Sequence, residues 1–114
     1  MRVTIYHNAN CSNSRRALEI IRARGIAPEI VAYMKTPLSR GELAALVARM
    51  GVTVAEVVRF KEAAAAEAGI GADSTDDALL DALAAHPVLL NRPIVVTDKG
   101  ARLCRPGDTV SELL

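Results

Sequence analysis

Apolar and polar positions change register several times along the chain, and each change marks an element. Residues 3–6 form a short β-rich apolar run that breaks into the polar stretch His7-Asn8-Ala9-Asn10-Cys11-Ser12-Asn13-Ser14. Beyond it Ala17, Leu18, Ile20 and Ile21 recur at helical spacing, which predicts a helix over 14–24. Gly25 suits its C′ position, and Pro28 follows as a breaker. Residues 29–33 (Glu-Ile-Val-Ala-Tyr) read as a second short strand. A strand–helix–strand unit of this length favours a parallel pair with a right-handed crossover.

A helical stretch follows. Ser39-Arg40-Gly41-Glu42 has capping-box spacing, with a hydroxyl at the N-cap and a carboxylate three residues later. Leu43, Leu46, Val47 and Met50 then keep one face, and Gly51 ends the helix. Val54, Val57 and Val58 form one face of another short helix, with Arg59 just beyond. The Ala-rich run 61–68 has high helix propensity but little to bury, which predicts a surface position. Ser74 or Thr75 caps a helix over 76–85, whose Asp76 and Asp77 complement the N-terminal dipole. His86-Pro87 closes it, and His86 there favours the helix C-terminus.

Residues 94–97 (Ile-Val-Val-Thr) read as a strand, Asp98-Lys99-Gly100 as a turn, and 101–104 as its antiparallel return. Arg105-Pro106-Gly107-Asp108 ends the sheet, and Thr109 caps a last short helix over 110–114. This order predicts a single α/β domain over 1–114 with a four-stranded mixed sheet and a helical insertion at about 39–86.

Composition narrows the classes. The chain has 114 residues, enough for one core and too few for two. A net charge of +1 gives no reason to expect nucleic-acid or membrane binding through bulk electrostatics. No apolar run reaches the length of a membrane span. Two cysteines make no disulfide framework, and no Cys/His cluster has zinc spacing, so neither a structural disulfide nor a metal is expected. The expected setting is a reducing cytoplasm, with any disulfide catalytic and transient.

Cys11 is the candidate for chemistry. It lies where the predicted first strand gives way to a helix, and the free N–H groups of a first helical turn favour an anion. An ordinary thiol with a pKa of ~8.5 is only about 3% thiolate at pH 7, and a fall to ~6.5 would make it roughly three-quarters thiolate. Burial as a small apolar residue is the competing account of Cys11, but its neighbours Asn8, Asn10, Ser12, Asn13 and Ser14 argue against an apolar pocket. Ser14 stands three residues on, giving Cys-x-x-Ser, so it either caps the helix, donates a hydrogen bond to a thiolate, or does both. With no adjacent resolving thiol, disulfide chemistry would need an external thiol or Cys104. Cys104, in an apolar strand, reads as structural. His7 either raises the thiolate fraction through positive charge or is satisfied by a backbone partner. Arg59, Arg92 and Arg105 each sit beside an apolar or Pro-containing segment, as surface ion pairs or as forked donors to a tetrahedral oxyanion. Arg22, Arg24, Arg40 and Arg49 lie on amphipathic helices and read as solvated charges.

A cysteine after the first strand and a proline before a later one resemble the thioredoxin fold, which makes Arg92-Pro93 the candidate for a cis peptide. The wider set of motifs resembles the glutaredoxin-coupled arsenate reductases, the ArsC family. It comprises His7-Asn8-x-x-Cys11, Ser14-Arg15, Tyr33 with Thr36-Pro37, Met50-Gly51, Leu90-Asn91-Arg92-Pro93-Ile94-Val95-Val96-Thr97 and Arg102-Leu103-Cys104-Arg105-Pro106. That resemblance implies a thioredoxin-like domain with Cys11 as nucleophile, His7 as an activating residue, and Arg59, Arg92 and Arg105 as the arsenate-binding arginines. The sequence departs from the family at Ala9, where proline is frequent, and at Phe60-Lys61-Glu62 after Arg59. Longer members also continue past the position of Leu114.

The resemblance further implies that Cys11 attacks arsenate, that glutathione is a co-substrate, that glutaredoxin resolves the mixed disulfide, and that no metal or bound organic cofactor is needed. Two other readings share the scaffold. One is an Spx-like regulator that contacts RNA polymerase, for which Ser14 in place of a second cysteine is unfavourable. The other is a glutathione-dependent thiol reductase acting on a different substrate.

Overall fold

Ile5 pairs with Ile30 on one side and Val95 on the other, and this puts the first strand inside a sheet rather than at its edge. The computed structural model describes residues 1–114. Its strands are β1 (Thr4–Tyr6), β2 (Glu29–Val31), β3 (Ile94–Thr97) and β4 (Gly100–Leu103), in the order β2-β1-β3-β4. β1 runs parallel to β2 and antiparallel to β3, and β3 is antiparallel to β4. The sheet is therefore four-stranded and mixed, as the sequence predicts. Antiparallel β3 and β4 need only the two residues Asp98 and Lys99 between them, since Thr97 pairs directly with Gly100.

The chain divides into two compact units, one of Met1–Thr36 with Arg92–Leu114 and one of Pro37–Asn91. The first holds the sheet, helix α1 (Ser12–Ala23) and a terminal 3-10 helix, Gly107–Leu113. Its core is Val3, Ile5, Ala17, Leu18, Ile21, Val95, Cys104, Val110 and Leu113, all buried. Ala17, Leu18 and Ile21 extend a buried stripe that starts at Ser14, at spacings of three, four and seven residues. Each large apolar side chain buried in this way contributes about 1.5–3 kcal/mol. Gly25, at φ 75°, follows α1 in the left-handed conformation that ends a helix.

The second unit holds α2 (Arg40–Met50), α3 (Ala63–Glu67), α4 (Asp76–Ala85) and the 3-10 turns Val54–Val57 and Pro87–Leu89. The Ser39/Glu42 capping box forms in both directions, and Gly51 closes α2 at φ 69°. Thr75, not Ser74, caps α4 by accepting from the Ala78 N–H. Arg40 does not stand alone in solvent, because it pairs with Asp77 and Asp81 and so ties α2 to α4.

Three expectations are corrected. The last helix is a 3-10 helix beginning at Gly107 rather than an α-helix over 110–114, and Thr109 donates to the Pro106 carbonyl inside it. The Ala-rich helix is only five residues of the 61–68 run, which lies at the surface as expected apart from buried Ala65. α1 begins two residues before Ser14. No helix is long and apolar enough to cross a membrane.

Candidate active site

The earlier start of α1 makes Cys11 itself the N-cap. Its backbone lies at φ −99°, ψ 123°, the extended conformation of a residue half inside a helix, and its carbonyl accepts the Arg15 N–H at 3.0 Å. The Cys11 N–H in turn donates to the Asn8 carbonyl at 3.0 Å, and Asn8 Oδ1 accepts from the Asn10 N–H, which fixes the loop before the helix. Serine, aspartate and asparagine usually hold an N-cap because their oxygens accept from the second and third residues of the helix. Here those residues are Asn13 and Ser14, and a sulfur takes the oxygen's place. The neutral thiol makes no capping hydrogen bond. The anion is the form these N–H groups favour.

Partial burial by itself pushes the Cys11 thiol up. Against it act the Ser14 N–H, the Arg92 guanidinium, the Asn13 N–H and the Arg105 guanidinium, and together they bring the thiol below its ordinary value. The cysteine is half-exposed, so the thiolate remains open to a reactant.

Arg92 and Arg105 reach the sulfur from the residues just before β3 and just after β4. Arg105 Nη1 lies 3.7 Å from Cys11 Sγ and donates to the Arg92 carbonyl at 2.8 Å, so one guanidinium spans both residues. Each arginine precedes a cis peptide bond, Arg92–Pro93 and Arg105–Pro106. Two guanidiniums at one thiolate leave further forked donors for an anionic ligand.

Ser14 does not cap α1, and its hydroxyl is not what faces the sulfur. It is fully buried at the third helical position, where Oγ accepts the Asn8 N–H at 3.0 Å and is 2.6 Å from His7 Nδ1. Its hydroxyl thus ties the end of β1 to the helix, while its backbone N–H serves the thiolate. Of the two readings of His7, the geometry favours a residue satisfied by a partner, here the Ser14 hydroxyl rather than a backbone group. Burial, then the nearby charges of Arg22 and Arg15, lower its pKa and so disfavour the charged imidazolium.

Arg59 lies in the second unit, between an ion pair to Glu62 at 3.1 Å and a hydrogen bond to Asn91 Oδ1 at 3.3 Å. Cys104 is wholly buried in the core of the first unit, and burial pushes its thiol up to about 11. Both burial and the raised pKa disfavour a thiolate there, as a structural cysteine requires.

A contact between the segment after Arg105 and the helix that follows Cys11 is not foreseen from either stretch of sequence. Gly107 N–H donates to Asn13 Oδ1 at 3.2 Å, and a Cβ on Gly107 would lie 2.4 Å from the Asn13 carbonyl oxygen. Arg16 pairs with Asp108 at 2.9 Å one turn further along α1. Only a glycine allows the backbones to approach this closely. Pro106-Gly107 reads locally as an ordinary turn, and its partner lies 94 residues away.

A family model described as "ArsC family" matches residues 6–113. An arsenate reductase of Rhizobium meliloti (strain 1021) is 50% identical, with the match covering 100% of this chain and 82% of that protein. An arsenate reductase of Escherichia coli (strain K12) is 48% identical over 98% of this chain and 80% of that protein. Among solved structures, an arsenate reductase from Vibrio cholerae superposes with a TM-score of 0.93 at 41% identity, over 100% of this chain and 98% of that one.

Proposed function

The chain belongs to the ArsC family and has its thioredoxin-like fold, and from this and the geometry at Cys11 we propose that it is an arsenate reductase. The observation that carries the reading is the pair of guanidiniums on a thiolate at a helix N-terminus, with Arg105 Nη1 at 3.7 Å from the sulfur. A thiolate so placed is a nucleophile, and the same positive groups that hold it favour a tetrahedral oxyanion beside it.

Cys11 sulfur attacks the arsenic of bound arsenate, a sulfur–arsenic bond forms, and an oxygen leaves as water after protonation. The sulfur of glutathione then attacks Cys11 sulfur. A disulfide forms, the sulfur–arsenic bond breaks, and its electron pair stays on arsenic, which falls from the pentavalent to the trivalent state. Glutaredoxin removes the glutathione from Cys11 as a second disulfide and restores the thiolate. The external thiol is required because Cys104 is buried and protonated. Arg92 and Arg105 neutralise the oxyanion through the addition step, and Arg59, which matches the family motif, is the third arsenate-binding residue. His7 and Ser14 hold the loop in which Cys11 sits.

The test is NADPH oxidation on adding arsenate to a mixture of glutathione, glutaredoxin and glutathione reductase. Turnover abolished by Cys11→Ser, and lowered roughly 10- to 100-fold in kcat/KM by Arg92→Ala, is the expected result, since a charge-assisted hydrogen bond contributes about 1.5–3 kcal/mol. A folded wild type with a reactive Cys11 and no arsenate turnover would instead leave the thiol-reductase and regulator readings.

A further inference from the structure

Arg105 is an exposed, long side chain, yet it is held at a defined distance from a small target, the Cys11 sulfur. Rotamer freedom in an exposed arginine works against any such fixed geometry. At its far end Nη1 donates to the Arg92 carbonyl at 2.8 Å, and at its root the backbone that carries it is pinned as well. Two residues beyond Arg105, buried Gly107 lies flat on the first turn of α1. The residue it touches there is Asn13, two positions beyond Cys11.

The contacts therefore close a ring. One side runs through the chain from Cys11 by Ser12 to Asn13, and the other from Gly107 by Pro106 to Arg105. The ring is shut at one end by the Gly107 N–H on Asn13 Oδ1 at 3.2 Å, and at the other by Arg105 Nη1 beside Cys11 Sγ at 3.7 Å. We infer that Asn13 is a positioning residue for the arsenate site, fixing through its side-chain oxygen the backbone from which Arg105 reaches the Cys11 sulfur. Asn13 uses two different groups for two tasks. Its backbone N–H faces the thiolate directly, and its side chain holds the segment that brings the guanidinium. Replacing the side chain leaves the first task intact, so the second can be measured separately.

The neighbouring Arg16–Asp108 pair acts on the same segment but is exposed on both sides, and screening by salt weakens such a pair. The Asn13–Gly107 bond is half-buried and neutral, so its contribution does not depend on ionic strength. Asn13 thus fixes the backbone at the root of Arg105, while the Arg92 carbonyl, accepting from Nη1 at 2.8 Å, restrains its far end.

The inference rests on the proposal that Arg105 and Cys11 act together on arsenate, and a readout free of arsenate separates the two. Asn13→Ala, Arg105→Ala and the double variant are compared in a double-mutant cycle. The first readout is the rate of Cys11 alkylation by iodoacetamide across pH, and the second is the arsenate KM and kcat in the coupled assay. Asn13→Ala is expected to slow alkylation near neutral pH by roughly two- to threefold and to raise KM by roughly two- to tenfold with kcat less affected, the range of coupling between contacting residues. In the Arg105→Ala background the same substitution should change neither quantity, because the group it positions is gone. Additive effects, or an Asn13→Ala variant that loses stability in urea with alkylation unchanged, would overturn the inference. Absence of arsenate turnover with the alkylation cycle still non-additive would contradict the function and leave the role of Asn13 standing.

Discussion

Gly107 lies so close to Asn13 that a Cβ added to it would stand 2.4 Å from the Asn13 carbonyl oxygen, 3.0 Å from Arg16 Cβ and 3.1 Å from the Ala17 nitrogen. Two of those three atoms are backbone in α1, where they cannot rotate aside. The two segments that carry Cys11 and Arg105 are joined here.

Gly107→Ala should therefore destabilise the protein by about 1–3 kcal/mol, the cost of forcing extra volume into a packed contact. Urea unfolding measures it, and the arsenate KM should rise in the same variant as Arg105 is displaced. An unchanged unfolding midpoint would contradict the contact.

The rate of Cys11 alkylation should rise with pH to a midpoint below that of a free cysteine, because the folded protein favours the thiolate. Arg92→Ala and Arg105→Ala should each move the midpoint upward. The same depression has a sign in stability. A group whose pKa falls on folding adds stability that is present in full above its unfolded value and is lost as pH falls through the folded one. Wild type should therefore gain stability over Cys11→Ser as pH rises between those two values. A flat difference would contradict it.

Cys104 predicts the opposite slope. Its thiol is pushed up to about 11 from an ordinary 9.0, so the folded state keeps a proton that the unfolded state releases between them. Stability should fall as pH rises through that window, and Cys104→Ala should lack this part of the fall. Urea titrations of both proteins across alkaline pH measure the difference. Equal slopes would contradict a buried, protonated Cys104.

Ser14→Ala should cost about 1–3 kcal/mol in unfolding, since it leaves the Asn8 N–H and the His7 ring without their common oxygen. It should leave the Cys11 alkylation midpoint nearly unchanged, because the N–H that faces the sulfur belongs to the backbone. A large upward shift of that midpoint would show that the hydroxyl itself serves the thiolate.

Where sequence reading succeeded, the signal was local. The Ser39/Glu42 box, Gly51 and the run Ile94–Thr97 each act through neighbours within a few residues, and each forms as expected. Cys11 as the helix cap was not legible, because Ser12, Asn13 and Ser14 are all better cap residues by type. Ser14 was drawn inward by the apolar stripe it begins, and only there does it meet His7 and Asn8. The charge state of His7 depends on burial and on Arg22 and Arg15, which a reading along the chain does not bring together. The approach of Gly107 to Asn13 depends on packing between segments 94 residues apart, and no pattern within either segment encodes it.

In the proposed reaction Cys11 thiolate attacks arsenate and is left joined to glutathione. The most direct measurement is the intact-protein mass after incubation with arsenate and glutathione, without glutaredoxin. The expected result is a gain of one glutathione per chain, mapped to Cys11, dependent on arsenate and absent from Cys11→Ser. No adduct, or an adduct that forms equally well without arsenate, would contradict it.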